Sequence, residues 1–174
     1  MKNHLIPNIL MSHFRTNHAG ETGAVYIYKG ILKVSKDREI INFSKKHLNT
    51  EQNHLEIIEK ILPLNQKSKL IFLWKIFGYL TGFIPALLGT SYIYATIFAV
   101  ESFVENHYQD QIKIISNEKK YIKMKNLIKE LMHDEIEHKE EALAKIKNMN
   151  ITHKIWMKIV KSGSILAVKI SKVF

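Results

Sequence analysis

The chain has 174 residues, enough to bury one real hydrophobic core and too few to fill two. It contains no cysteine, seven glycines and only three prolines, which excludes a disulfide framework, a thiolate zinc site and a cysteine nucleophile, and leaves little punctuation for many short strands. A net charge of +10 calls for an anionic partner, either nucleic acid or an anionic membrane face, and does not choose between them.

Residues 12–35 place Phe14, Val25, Tyr28 and Leu32 along one helical stripe that includes a single acid, Glu21. Residues 38–62 form a second amphipathic helix whose stripe runs through Ile40, Ser44, His47, Glu51, His54, Leu55, Ile58 and Leu62, with Pro63 closing it. Residues 76–100 carry no charge, and such a length can in principle cross a bilayer. Gly78, Gly82, Pro85 and Gly89 interrupt the run, and its last part leads into Glu101, Tyr108 and Ile112 on one face. The expectation is therefore an apolar connecting segment over about 70–90, lying in a membrane interface, followed by a bundle helix over about 91–116. A fourth long helix spans about 120–147. Residues 151–173 alternate Ile155, Trp156, Ile159, Leu166 and Ile170 with Lys154, Lys158, Lys161, Lys169 and Lys172, the pattern of a basic amphipathic helix.

A repeated unit stands out: a lone glutamate on one helix, then Glu-x-x-His on the next. Glu21 precedes Glu51 and His54, and Glu101 precedes Glu135 and His138, at offsets of 80 and 84 residues. Glutamate and histidine three apart share a helix face, so each pair can grip neighbouring positions around one ion, and bundles that hold two iron or manganese ions use this arrangement. Four carboxylates and two imidazoles balance most of the charge of two divalent cations and suit iron, with manganese as a stand-in. Buried without such partners, four acids on apolar stripes would each cost several kcal/mol.

A lone Glu-x-x-His is weak evidence, and the chain contains a decoy in Glu130 and His133. Advancing about 100° per residue from Leu127 places Leu131, Glu135, His138 and Ala142 within roughly 20–80°, whereas Glu130, His133, Glu137 and Glu141 fall at roughly 240–320°, a solvated face. His47 reads as a histidine behind the ligands or at the rim rather than a ligand, and Glu105 as a neighbour of Glu101 more than a replacement for it. Tyr28 and Tyr108 share the inward faces and stand near the site; His107 and His18 are further candidates for a site role.

Asn17-His18-Ala19-Gly20-Glu21, Glu51-x-x-His54, Ala99-Val100-Glu101 with His107-Tyr108 and Gln111, and Asp134-Glu135-x-Glu137-His138 resemble, in order and over nearly the whole chain, the demethoxyubiquinone hydroxylases of ubiquinone biosynthesis. The resemblance implies a single all-α, ferritin-like four-helix bundle over 1–174, two irons held by Glu21, Glu51, His54, Glu101, Glu135 and His138, and O2-dependent hydroxylation of a polyprenylated quinol ring. It implies peripheral attachment to the inner membrane, and with no signal pattern before His18 the expected place is its cytoplasmic side in a bacterium. No nucleotide-binding glycine fingerprint is present, so electrons come from NADH, a reductase or the quinol, and homo-oligomerisation is left open. Two rivals remain: a ferritin-like iron oxidase or storage shell, and a non-catalytic basic module binding lipid or nucleic acid. The membrane-seeking segments argue against the shell, and the buried acids against the module.

Overall fold

The computed structural model describes residues 6–147 and 149–173, and among them there are six α-helices and no strand. The helices are α1 (Met11–Val34), α2 (Arg38–Ile61), α3 (Ile71–Leu88), α4 (Thr90–Ile114), α5 (Ile122–Lys145) and α6 (Ile151–Ser171). Local chemistry sets several of the ends. The Asp37 carboxylate accepts from the backbone N–H groups of Glu39 and Ile40 at the start of α2. Asn150 and His153 form a reciprocal capping box at the start of α6. Gly89, at φ 121°, turns the chain between α3 and α4, a conformation that side chains rarely adopt.

The four ligand-bearing helices fall within a few residues of their expected bounds. The segment expected over about 70–90 as a connection is instead a full helix of the bundle, because its interruptions are a packing surface. α3 lies against α1 so closely that a Cβ on Gly78 would come within 2.3 Å of the Gly23 carbonyl oxygen, and one on Gly82 within 1.9 Å of that of Ile27. Gly30 of α1 reciprocates, its Cβ position falling 2.2 Å from the Tyr79 carbonyl oxygen. The obstacle in each case is backbone, so no side-chain rotation relieves it. Gly82→Ala is therefore expected to push α3 off α1 and cost at least about 1–3 kcal/mol of stability. An unfolding midpoint in urea equal to that of the parent protein would refute this packing.

Packing divides the chain into two halves of the same plan. In the first, α1 packs on α2 and α3; in the second, α4 packs on α5 and α6. The apolar segment and the basic C-terminal helix thus occupy equivalent places, each laid against the helix that carries its half's lone glutamate. Between them, the backbones of α2 and α5 stay apart while their side chains meet, Lys46 and His47 reaching Glu141. Two apolar clusters close the bundle. One contains Ile31, Ile40, Phe43, Ile97 and Ala142; the other contains Leu10, Phe14, Ile58, Ile128 and Leu131. In every ligand-bearing helix the acid falls between residues of the two clusters, so the polar layer sits at the waist of an oily interior.

Candidate metal centre

Glu21, Glu51, His54, Glu101, Glu135 and His138 are all buried, none more than 4% exposed. They converge in two groups. Glu21, Glu51, His54 and Glu135 place ligand-type atoms within 4.8 Å of one another, and so do Glu51, Glu101, Glu135 and His138. Glu51 and Glu135 belong to both groups, so two cations, if bound, could share them, with Glu21 and His54 completing one group and Glu101 and His138 the other.

The donors fit a cation better than they fit each other. His138 Nδ1 lies 3.1 Å from Glu51 Oε1 and 3.4 Å from Glu135 Oε2, yet it has no hydrogen-bond partner. Glu51 Oε1 and Glu135 Oε2 are likewise buried and unpartnered. Orphaned donor and acceptor atoms facing one another in a dry interior are costly unless an ion stands among them. His54 Nδ1 is 3.1 Å from Glu135 Oε1 and 3.7 Å from Glu21 Oε2. Its other nitrogen, Nε2, is 2.9 Å from Asp134 Oδ2, the kind of outer partner that fixes a metal-binding imidazole in one tautomer. The Tyr108 hydroxyl donates to Glu21 Oε1 at 2.5 Å and so orients that carboxylate.

Electrostatics agree. Burial, then the Glu135 and Glu21 carboxylates, push the Glu51 carboxyl well up; burial, then Glu135 and Glu51, do the same to Glu101. Burial disfavours charge on His54, but hydrogen bonds with Glu135 and Glu21 outweigh it and push the imidazole up to about 12. Without cations the cluster therefore gathers protons in their place.

Two openings reach the centre. An apolar cavity of about 610 Å³ between α1, α3, α4 and α6 touches Glu21, Glu51, Glu101 and Glu135, with Trp74, Phe77 and Trp156 among its walls. A smaller groove of about 380 Å³ between α2 and α5 touches His54 and His138.

A family model described as "Ubiquinone biosynthesis protein COQ7" matches residues 8–171 of this chain. The chain belongs to the COQ7 family. The mouse protein named NADPH-dependent 3-demethoxyubiquinone 3-hydroxylase, mitochondrial, from Mus musculus, is 29% identical over 164 residues, 92% of this chain and 76% of its own length. The human protein of the same name is 28% identical over 162 residues, 91% of this chain and 75% of its own length. A bacterial relative, the 3-demethoxyubiquinol 3-hydroxylase of Rhodospirillum rubrum, is 28% identical over 170 residues, 95% of this chain and 79% of its own length.

Around this COQ7 centre the other sequence candidates sort themselves. Tyr28 is fully buried beside His47, and its hydroxyl has no partner. His47 is no part of either ligand group: its ring meets His138 edge-on at 4.1 Å, and its Nε2 is 3.1 Å from Glu141 Oε2. Glu141 departs from the solvated face expected of it, since Lys46 and His47 of α2 reach across to it. Glu105 is bound by Lys139 and Gln109, away from the centre. His18 is buried and pairs with Glu59. Glu130, His133 and Glu137 stay outside, as their helix angles require. Two features escaped the sequence. Asp134 has a helix angle of roughly 340°, at the edge of the inward stripe, and that signal was present. The reciprocal side-chain amide pair of Asn17 and Gln111, both bonds 2.9 Å, depends on the approach of α1 to α4 and had no local signal.

His107 lines the apolar cavity and lies 2.9 Å from Thr16 Oγ1. Burial, then His13 and Lys172, push its imidazole down to about 4. A group depressed in the fold contributes stability that is complete above its unfolded value of about 6.5 and is lost as pH falls toward 4. The thermal midpoint is expected to fall over that window, and to fall less in His107→Asn. Equal pH slopes for the two proteins would contradict the assignment.

Proposed function

We propose that this chain is a 3-demethoxyubiquinol 3-hydroxylase. It inserts one atom of O2 into the ring of a polyprenylated demethoxy-benzoquinol; the other atom leaves as water, at the expense of two electrons and two protons from an external donor. The observation that carries this reading is a pair of carboxylate–imidazole groups, sharing Glu51 and Glu135, that open onto a large apolar cavity. Family membership and the names of the mouse and Rhodospirillum rubrum relatives support it.

In this proposal Glu21, Glu51, His54, Glu101, Glu135 and His138 hold two irons. The metal pair supplies the binding and reduction of O2. The protein's part is to position and to exclude. Tyr108 holds the Glu21 carboxylate, and Asp134 holds the His54 ring, so the ligands keep their orientation through turnover. The quinol head lies over the four glutamates at the floor of the cavity, and its isoprenoid tail follows the apolar walls of α3 and α6, which keep water from the reacting ring. The mammalian relatives' names specify NADPH, which supports a nicotinamide as the external donor.

A membrane-bound substrate calls for a membrane-facing surface. α3 is long and apolar enough to cross a bilayer by length and composition, but its glycine side is committed to α1, while Phe72, Phe77 and Leu87 of its other side are exposed. α6 exposes Ile155, Ile159 and Leu166 among its lysines. The proposal is that both helices lie in the interface of an anionic inner membrane, on its cytoplasmic side, rather than span it.

The test is reconstitution with ferrous iron, or with manganese in a parallel sample, followed by incubation with a demethoxy-quinol, NADPH or NADH, and isotopically labelled O2. One labelled oxygen in the quinol ring, dependent on iron, is the expected result. A protein loaded with two irons that consumes O2 and leaves the quinol unchanged would sink the reading.

A further inference from the structure

The groove between α2 and α5 is unused in the reaction just described. It shares no lining residue with the apolar cavity, although both reach the centre. The division is chemical as well as spatial: the cavity meets the four carboxylates behind mostly apolar walls, whereas the groove meets the two imidazoles behind a mixed wall in which Asn53, Glu130, Asp134 and Glu137 stand beside Ile57, Leu127 and Leu131.

We propose that this groove is the port by which hydrated divalent cations reach the centre, a role that rests on the metal reading above. Three features of the groove lead there. A chain of net charge +10 repels cations, yet Glu130, Asp134 and Glu137 line this groove against one lysine, Lys46, which is itself paired with Glu141. At the mouth, His133, Asp134 and Glu137 hold ligand-type atoms within 4.8 Å of one another, on exposed or half-buried side chains. On the groove floor, His138 is only 3% exposed and its Nδ1 has no hydrogen-bond partner, while His54 Nε2 lies 2.9 Å from Asp134 Oδ2. Asp134 thus belongs to the outer trio and touches a centre ligand at once, so an ion can exchange its waters for protein oxygens in stages. The apolar cavity offers no such sequence, and a hydrated divalent ion would have to be stripped of water against its walls.

The test uses the metal-free full chain mixed rapidly with cobalt(II), whose visible spectrum reports coordination. The double variant Glu130→Gln, Glu137→Gln and the groove-filling variant Asn53→Trp are each expected to slow uptake by about tenfold or more, with the final stoichiometry still two ions per chain. Filling the apolar cavity beforehand with a short-chain alkyl benzoquinone should leave the uptake rate of the parent protein unchanged. Uptake at the parent rate in both variants, or uptake slowed by the quinone and not by the variants, would overturn the port. Loss of cobalt at equilibrium in the variants would make these residues ligands rather than a passage, and overturn it equally. A parent chain that never takes up cobalt would instead sink the metal reading itself.

Discussion

Glu135→Ala is expected to leave the chain with neither metal ion and with hydroxylation at background. Glu135 contributes to both ligand groups and lies 3.1 Å from His54 Nδ1 and 3.4 Å from His138 Nδ1. Its removal would take a carboxylate common to both groups and an anionic partner of both imidazoles. Loss of an outer-shell partner alone typically costs roughly 10–100-fold in metal affinity or activity, and a shared ligand should cost more. Glu130→Ala removes a glutamate from the same helix at an exposed position and should leave metal content and turnover at equilibrium intact. Metal analysis of the two variants decides the matter: equal occupancy would mean that the helix-face argument, and the site built on it, are wrong.

Chelation should destabilise the bundle by a large margin. An ion bound only by the folded state contributes ~2.7 kcal/mol per site when its free concentration is a hundred times Kd, so two sites together raise the midpoint by on the order of 10–20 °C for a domain of this size. The gain should shrink on acidification. Glu51 and Glu101 have carboxyls raised in the metal-free fold, which makes their contribution there complete below the unfolded value near 4.5 and lost as pH rises through the folded one. Protons therefore substitute for the cations at low pH, and the difference between loaded and stripped protein closes. His54, held protonated by Glu135 and Glu21, must release its proton on loading, so uptake at neutral pH should acidify a weakly buffered solution. Calorimetric melts of both forms across pH 5–8 would measure this; a gap that widens toward acid would contradict it.

The buried cluster of carboxylates and imidazoles was legible because it breaks the pattern that helical packing otherwise keeps: glutamates placed where Leu or Ile should continue a stripe. Helix angle then separated Glu135 and His138 from Glu130 and His133. The role of α3 was not legible for a related reason. Its exposed side is as oily as a buried one, so periodicity could not mark which face met the protein, and Gly78 and Gly82 read as breaks although they form the seam with α1. Glu141 was misplaced because a single helix wheel knows nothing of Lys46 and His47 arriving from α2. What sequence periodicity misses here is what depends on a second helix.

The sharing of Glu51 and Glu135 has a consequence for the chain as a whole. Each group takes three residues from one half and the fourth from the other, so a metal site built on them would close only when the segment before Gly89 and the segment after it have come together. Bound cations would act as a clasp where side chains, rather than backbones, of the second and fifth helices meet. Loading would thereby tie together segments distant in the chain, adding to the two apolar clusters and the Asn17–Gln111 and Tyr108–Glu21 bonds that already join the halves.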